Sequence, residues 1–286
     1  MIADRGGRHA VPLSALLAAL PTLVGVGYAV AAATGLIGDG GRGFSLDRTA
    51  HVLAEHVVWR GLFWTLGTAA AATALATAGA VLLAVTFRGT GAADRAARAL
   101  AVLPMAVPHL VAAAVFVLLL GQSGFLARAL YAAGIARAPD SMPALIYDPW
   151  GTGFVLALAW KELPFLSLLA FTILATRGSQ LEETARSLGA APGEVFRRVT
   201  WPMLWRGILP GVIAVFVFIA GSYEAAVLLA PSNPLPLPLL TFERYTDPDL
   251  ERRPDAFVLV LVGLAISAAA VTAHEWARSR QESFEA

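Results

Sequence analysis

The stretch Glu183-Thr-Ala-Arg-Ser-Leu-Gly-Ala-Ala-Pro-Gly-Glu-Val-Phe-Arg-Arg-Val-Thr-Trp-Pro202 is the longest polar, charged, helix-compatible segment held between two apolar spans of this chain. Residues 180–188 are helix-compatible and open on Glu182 and Glu183, which suit the positive first turn of a helix. Gly189 follows, where a chain can leave a helix through the left-handed C′ conformation. Pro192 then fits the first position of a second helix, with Glu194 in its first turn. Val195, Phe196 and Val199 form a short apolar stripe flanked by Arg197 and Arg198. Trp201 and Pro202 are expected to end the unit and turn the chain toward the next span. The resulting hairpin presents Ala185, Leu188 and Phe196 among charges, and the alanines and glycine at its bend let a partner backbone come close. A solvated loop with an interfacial helix is the plainer reading of such a segment. A docking surface is the sharper one.

Outward from this hairpin the chain reads as membrane. Of 286 residues, 57% are hydrophobic and 14% charged, against about 25% charged in soluble domains; the mean hydropathy is +0.67. Net charge is +1, so no basic field points to nucleic acid. The absence of cysteine removes disulfides, thiolate nucleophiles and zinc–thiolate sites. No glycine-rich phosphate loop followed by Lys-Ser or Lys-Thr is present, so the chain is not expected to bind ATP in that manner.

A bilayer core takes about 20 mostly apolar residues per helix. Six segments qualify, at about 11–37, 62–87, 100–120, 153–176, 208–230 and 256–276. The first follows Arg5 and Arg8, but its apolar run exceeds the roughly 7–15 residues of a signal h-region, so it is read as a helix. With the N-terminus inside, twelve arginines fall on the inner side and eight on the outer. The inner set includes Arg88, Arg95, Arg98, Arg177, Arg186, Arg197, Arg198, Arg206, Arg278 and Arg280; the outer includes Arg42, Arg48, Arg60 and Arg244. The bias favours both termini, and the loop 177–206, on the cytoplasmic side. In the outer loops, residues 46–58 are expected to form a short surface helix and 125–133 to lie on the membrane. The segment 231–255 holds six of seventeen prolines and is expected to take a semi-rigid extended path.

Pro21, Pro104, Pro108, Pro164 and Pro210 sit within apolar spans. Each reads either as a packing kink or, for Pro104, Pro108 and Pro164, as shaping a pathway, since a broken backbone in lipid must be re-satisfied by neighbours or cavity water. Small residues such as those at 69–72 and 268–270 read as helix-packing positions.

Ionisable groups in the membrane cost about 2.5–3.5 kcal/mol on insertion scales and by default mark a pair or a pathway. Lys161, Glu162 and Glu224 are of this kind. At 1.5 Å per residue, Lys161 lies about 12 Å and Glu224 about 9 Å below the outer surface, so Lys161 is expected to reach Glu224. That pair reads as a structural lock between the fourth and fifth helices or as a cavity-lining pair. Glu162 or Glu224 is alternatively a candidate attractor for a cationic substrate such as a polyamine. His109, after Pro108, reads first as a hydrogen-bonded packing residue and second as a gate. His51, His56, Asp140 and Asp148 lack metal-ligand spacing, and no metal site or catalytic residue is assigned. Tyr223 and Asn233 are candidates for the outer mouth or for ordinary packing.

The spacing Glu183, Ala185, Gly189, Val199, Trp201 and Pro202 resembles the EAA loop of binding-protein-dependent ABC importer permeases. Thr184 stands where that family usually has alanine and Trp201 where it has leucine. The resemblance implies an all-α membrane protein of six transmembrane helices with the type I importer permease fold. In that fold the loop forms coupling helices that insert into a cleft of the ATP-binding subunit. On this analogy Glu183, Ala185, Leu188, Gly189, Phe196 and Pro202 couple to the ATPase. Lys161, Glu162, Tyr223, Glu224 and Pro108 are the candidate translocation-pathway residues. The segments Leu103-Pro-Met-Ala-Val-Pro-His109, Trp160-Lys-Glu-Leu-Pro164 and Gly221-Ser-Tyr-Glu224 look like permeases of the spermidine/putrescine, thiamine, iron and phosphonate grouping.

The resemblance further implies partners: two ATPase subunits carrying ATP and magnesium, a second permease copy or homologue completing the pathway, and an extracytoplasmic substrate-binding protein. Membrane lipid surrounds the chain, and no cofactor is expected on the chain itself. The implied location is the bacterial cytoplasmic (inner) membrane, and the cargo a small polar solute, a polyamine-like cation or another ion. Much of the selectivity would reside in the binding protein. The alternative of an ion-gradient-driven secondary transporter predicts inverted repeats; none is seen, and the hairpin would go unexplained. A membrane enzyme is disfavoured because no nucleophile–base pair stands at helical spacing.

Overall fold

The computed structural model describes residues 7–37, 43–138 and 142–285, with side chains described outside 7–14, 177–179 and 277–285. Arg5, Arg42 and Asp140 therefore lie outside the described residues, as do the side chains of Arg8, Arg177, Arg278 and Arg280. Every regular element among the described residues is helical. Six stretches are long and apolar enough to cross a membrane: Ala15–Ala33, His56–Thr86, His109–Ala132, Thr152–Thr176, Pro192–Ala220 and Arg253–Trp276.

The chain divides into two units, residues 1–59 with 240–266, and 60–239 with 267–286. The first unit holds α1 (Gly7–Ala33), α2 (Asp47–Ala54) and the first turns of α13 (Arg253–Glu285). Tyr28 of α1 meets Phe257 of α13 edge to face at 5.2 Å. Arg48 pairs with Asp255 at 2.8 Å, and Arg244 reaches both Asp255 and Glu55. The predicted surface helix over 46–58 is shorter than expected, because Glu55 is extended and the next helix begins at His56.

The second unit is built from α3 (His56–Thr86), whose residues belong to it from Arg60 on, α4 (Ala92–Val102), α5 (His109–Leu120), α6 (Phe125–Ala132), α7 (Thr152–Ile173), α8 (Ser179–Ser187), α9 (Pro192–Val195), α10 (Trp201–Ala220) and α11 (Tyr223–Leu229). Its core sits along α3, α5, α7 and α10. Ala69, Ala72, Ala76 and Ala80 recur every three or four residues on one buried face of α3, the period of a single helix face. Small side chains there let neighbouring backbones approach. On α10, Gly207 and Gly211 are one turn apart. A methyl group at either would lie 2.5 Å from the Ile173 Cδ1 or 2.7 Å from a Leu169 Cδ of α7, so the two glycines let these side chains pack directly on α10, and a larger residue would require them to shift. At the other end of α7, the buried Asp148 carboxylate accepts from both the N–H and the hydroxyl of Thr152, each at 2.8 Å, which satisfies an orphan donor of the first turn.

Several expected boundaries change. The third apolar segment is not one helix from 100 to 120. It is α4, a 3₁₀ turn over Leu103–Ala106, and then α5 starting at His109. Pro104 and Pro108 break the segment rather than kink it, since neither can donate a backbone hydrogen bond. The segment 208–230 likewise divides into α10 and α11 at Gly221 and Ser222. Residues 125–133, expected to lie on the membrane, form the separate helix α6 after a break at 121–124, with Ala127 buried. The proline-rich 231–255 is not wholly extended: α12 (Leu237–Tyr245) forms there. Its Pro238 falls in the first turn, where a missing N–H costs nothing.

Candidate functional site

The hairpin forms as two helices meeting at a glycine. α8 ends at Ser187; Gly189 has φ +86°, a conformation that side chains disfavour. The Gly189 N–H donates to the Arg186 carbonyl at 2.9 Å and the Ala190 N–H to the Ala185 carbonyl at 3.1 Å, closing the orphan carbonyls of α8. Ala191 extends the chain, Pro192 starts α9, and the Glu194 carboxylate accepts from the Ala191 N–H at 3.4 Å. The second arm does not end at Trp201 and Pro202. It passes through a π turn over Phe196–Thr200 directly into α10, with the Trp201 N–H donating to the Phe196 carbonyl. The widened turn accommodates Pro202, which has no N–H to give. The second arm and the transmembrane helix are thus one continuous rod, Pro192–Ala220.

What fixes the hairpin to the bundle is Glu182, a residue that hydropathy places outward. It is only 4% exposed. Arg88, just beyond α3, donates to both of its oxygens at 2.7 and 2.8 Å. The Thr200 hydroxyl donates at 2.6 Å and Arg186 at 3.4 Å. Burial alone raises a carboxyl pKa. Here the hydrogen bonds from Thr200 and Arg88, then the charges of Arg88 and Arg186, outweigh it and hold Glu182 below the ordinary glutamate value. Arg98 anchors the same corner by donating to the carbonyls of Phe87 and Gly89 at 2.8 and 2.9 Å. One carboxylate therefore ties the end of α3, the first arm and the foot of α10.

The outer face of α8 is inverted for a soluble helix. Leu181, Ala185 and Leu188 follow at i, i+4 and i+7, and Leu181 and Leu188 are 53% and 84% exposed, while Glu182 points inward. Of the predicted coupling residues, Glu183, Ala185, Leu188 and Gly189 gather around α8 and the bend. Phe196 and Pro202 lie apart, toward the foot of α10, with Phe196 packed against Trp201 at 6.4 Å. Glu183 lines a cleft of about 570 Å³ with Arg88, Arg98, Glu182 and Arg186.

The expected Lys161–Glu224 pair does not form. Glu224 is exposed in the first turn of the separate α11, and neither group has an ion pair among the described residues. Matching depth along two helices left their azimuths undetermined. Lys161 is buried on α7. Its neighbour Glu162 instead takes His109 of α5 at 2.9 Å, and the His109 ring packs on Phe218 of α10 at 5.0 Å. Pro108 caps α5 immediately before this contact. Tyr223 is half-buried in the first turn of α11. His109 thus has the packing role that was its first reading. Replacing it by alanine is expected to orphan Glu162 and cost about 1–3 kcal/mol, seen as a lower unfolding midpoint in detergent. A Lys161/Glu224 charge swap is expected to show no mutual rescue. An unchanged midpoint for His109→Ala would contradict the pairing.

Residues 76–281 match the model of the binding-protein-dependent transport system inner membrane component. The molybdenum transport system permease protein ModB of Mycobacterium tuberculosis is 31% identical over 211 residues, spanning 72% of this chain and 76% of that one. The sulfate transport system permease protein CysT of Synechocystis is 32% identical over 168 residues, 58% of this chain and 54% of that one. A solved bacterial transporter for import of the acidic polysaccharide alginate superposes with a TM-score of 0.73 at 16% identity over 95% of this chain and 94% of that one, a likeness of fold. Match, fold and helix-bound hairpin agree: the chain belongs to the binding-protein-dependent permease family of ABC importers, a multi-pass inner-membrane transport subunit that is not itself a catalyst, ATP being hydrolysed by a separate ATPase.

Proposed function

We propose that this permease carries a small tetrahedral oxyanion of the molybdate or sulfate class, and that the tip of the hairpin at 185–190 seats in its ATPase. The inverted face of α8 carries the docking reading: Leu181 and Leu188 stand 53% and 84% exposed on the face turned away from the buried Glu182, the reverse of a solvated helix, and a partner surface would cover them. The buried Glu182 then passes displacement of the tip to α3 and α10, because the second arm and α10 are one rod. Two ATPases, with ATP and magnesium, act on two permeases that each supply half of the pathway, the hairpins facing the cytoplasm and an external binding protein delivering cargo. The oxyanion reading takes the place of the polyamine-like cation and is supported by the names of the relatives. It also agrees with Glu162 being engaged by His109 rather than free to meet a cation.

The test is uptake into proteoliposomes holding the permease with its ATPase and binding protein. Labelled molybdate and sulfate are expected to enter only with internal ATP, and excess spermidine to leave uptake unchanged. Uptake that persists without the ATPase and collapses on dissipating an ion gradient would establish a secondary transporter instead. Spermidine uptake in place of oxyanion uptake would overturn the cargo.

A further inference from the structure

At the foot of the hairpin, away from the bend, a pocket of about 780 Å³ opens between the end of α7 and the start of α10. Two guanidiniums, Arg198 and Arg206, line it, and among the described residues no carboxylate does. The remaining wall is largely apolar, with Ile173, Leu181 and Met203 among its residues. Arg198 pairs with Glu194 at 3.8 Å, with both side chains more than half exposed, a pairing worth little. The position of the pocket along the membrane normal follows from two separate observations. The span of α7 ends at Thr176, which lies in the pocket wall. Trp201 and Trp205, stacked at 5.7 Å and 39% and 37% exposed, occupy the same turns of α10, and tryptophan concentrates at the membrane–water boundary.

We propose that this pocket binds an anionic phospholipid, its headgroup phosphate between Arg198 and Arg206 and the upper part of its acyl chain along Ile173 and Met203. Basic pockets between helices at the membrane boundary suit this chemistry, each cation near the surface adding about 1 kcal/mol. Such a lipid fastens the second arm of the hairpin to the bilayer plane on the side where the ATPase docks, a consequence that rests on the proposed function above. Lipid binding itself is independent of that reading.

The test uses the permease with its ATPase subunits in nanodiscs of phosphatidylcholine containing a minor fraction of phosphatidylglycerol, with co-purifying lipid counted by native mass spectrometry. Retained phosphatidylglycerol is expected to exceed its bulk share by about thirtyfold, as two such cations imply. The paired change Arg198→Gln with Arg206→Gln is expected to abolish the enrichment, and Arg198→Lys with Arg206→Lys to keep most of it. Because the chain has no cysteine, Met203→Cys places a single thiol in the pocket, expected to label with a thiol reagent carried on lipid. Lipid retained in proportion to the bulk, or equally by the Gln variant, overturns the proposal. Displacement by inorganic phosphate would instead mark a small-anion site, and disulfide capture of two permeases through Met203→Cys a subunit interface; either overturns it. None of these readouts depends on uptake, so the lipid site and the importer reading fail separately.

Discussion

A Glu182→Gln permease is expected to reach the membrane in normal amount and to lose coupled uptake by about thirtyfold or more. The carboxylate accepts two hydrogen bonds from Arg88 and one from Thr200, and bonds to a charged group contribute about 1.5–3 kcal/mol each. The Arg88 side chain is 37% exposed, so its share is discounted for solvent screening. An amide oxygen can keep one contact, which leaves a loss of about 2–3 kcal/mol. That lowers the equilibrium constant for anchoring the hairpin by about thirty- to a hundred-and-fiftyfold. Insertion should not change, because Glu182 lies outside the six membrane-crossing stretches. The expected pattern is normal permease abundance, continued ATPase capture by the exposed tip, and ATP hydrolysis no longer linked to uptake. Uptake close to that of the parent would show that Glu182 transmits nothing.

The same carboxylate predicts an acid limit. Its pKa is lower in the folded protein than the ordinary 4.5, so its stabilisation is complete above that value and lost as pH falls through the folded value. Hydrogen exchange at the amides of 179–202, corrected for intrinsic rates, should accelerate below about pH 4.5 in the parent. In Glu182→Gln it should already be fast and show no such step.

The features legible in the sequence are those set by local chemistry. Apolar length locates six crossings, and the order of Gly189 and Pro192 locates the bend and the start of the second arm. Three kinds of feature were not legible. A proline within an apolar run reads equally as a kink or a break, which is why α4 and α5 merged in the reading of 100–120. Depth along a helix carries no azimuth, so depth alone pairs Lys161 with Glu224, whereas Glu162 meets His109, 53 residues away. Glu182 takes partners 94 and 18 residues distant, and an acid in the first turn of a polar helix is ordinarily solvated. Its one local signal was Arg186 four residues on, a spacing common on exposed helices. The inward acid and outward leucines of α8 mean that its amphipathicity is set by a surface this chain does not supply.

Gly189→Asp is expected to abolish ATPase capture while leaving the permease inserted and folded. The backbone at 189 has φ +86°, and a Cβ there would meet nothing within 4 Å beyond its chain neighbours in the isolated chain. Steric exclusion therefore arises only when a partner closes on the bend. Left-handed conformation costs most residues about 1–2 kcal/mol, but aspartate and asparagine tolerate it through local hydrogen bonds. Aspartate thus leaves the turn nearly intact while placing a carboxylate beside Leu188, where the docking reading requires a dry contact. An uncompensated charge buried at such a contact costs several kcal/mol, enough to lower binding by a hundredfold or more. Asparagine separates charge from shape: Gly189→Asn is expected to retain partial capture, and Gly189→Val to fail by distorting the turn, with faster hydrogen exchange in α8 even without the ATPase. Equal loss in the aspartate and asparagine variants would make bulk rather than charge the determinant at the bend. Normal capture and uptake by Gly189→Asp would place the ATPase elsewhere, since a seated bend has no room for a new carboxylate.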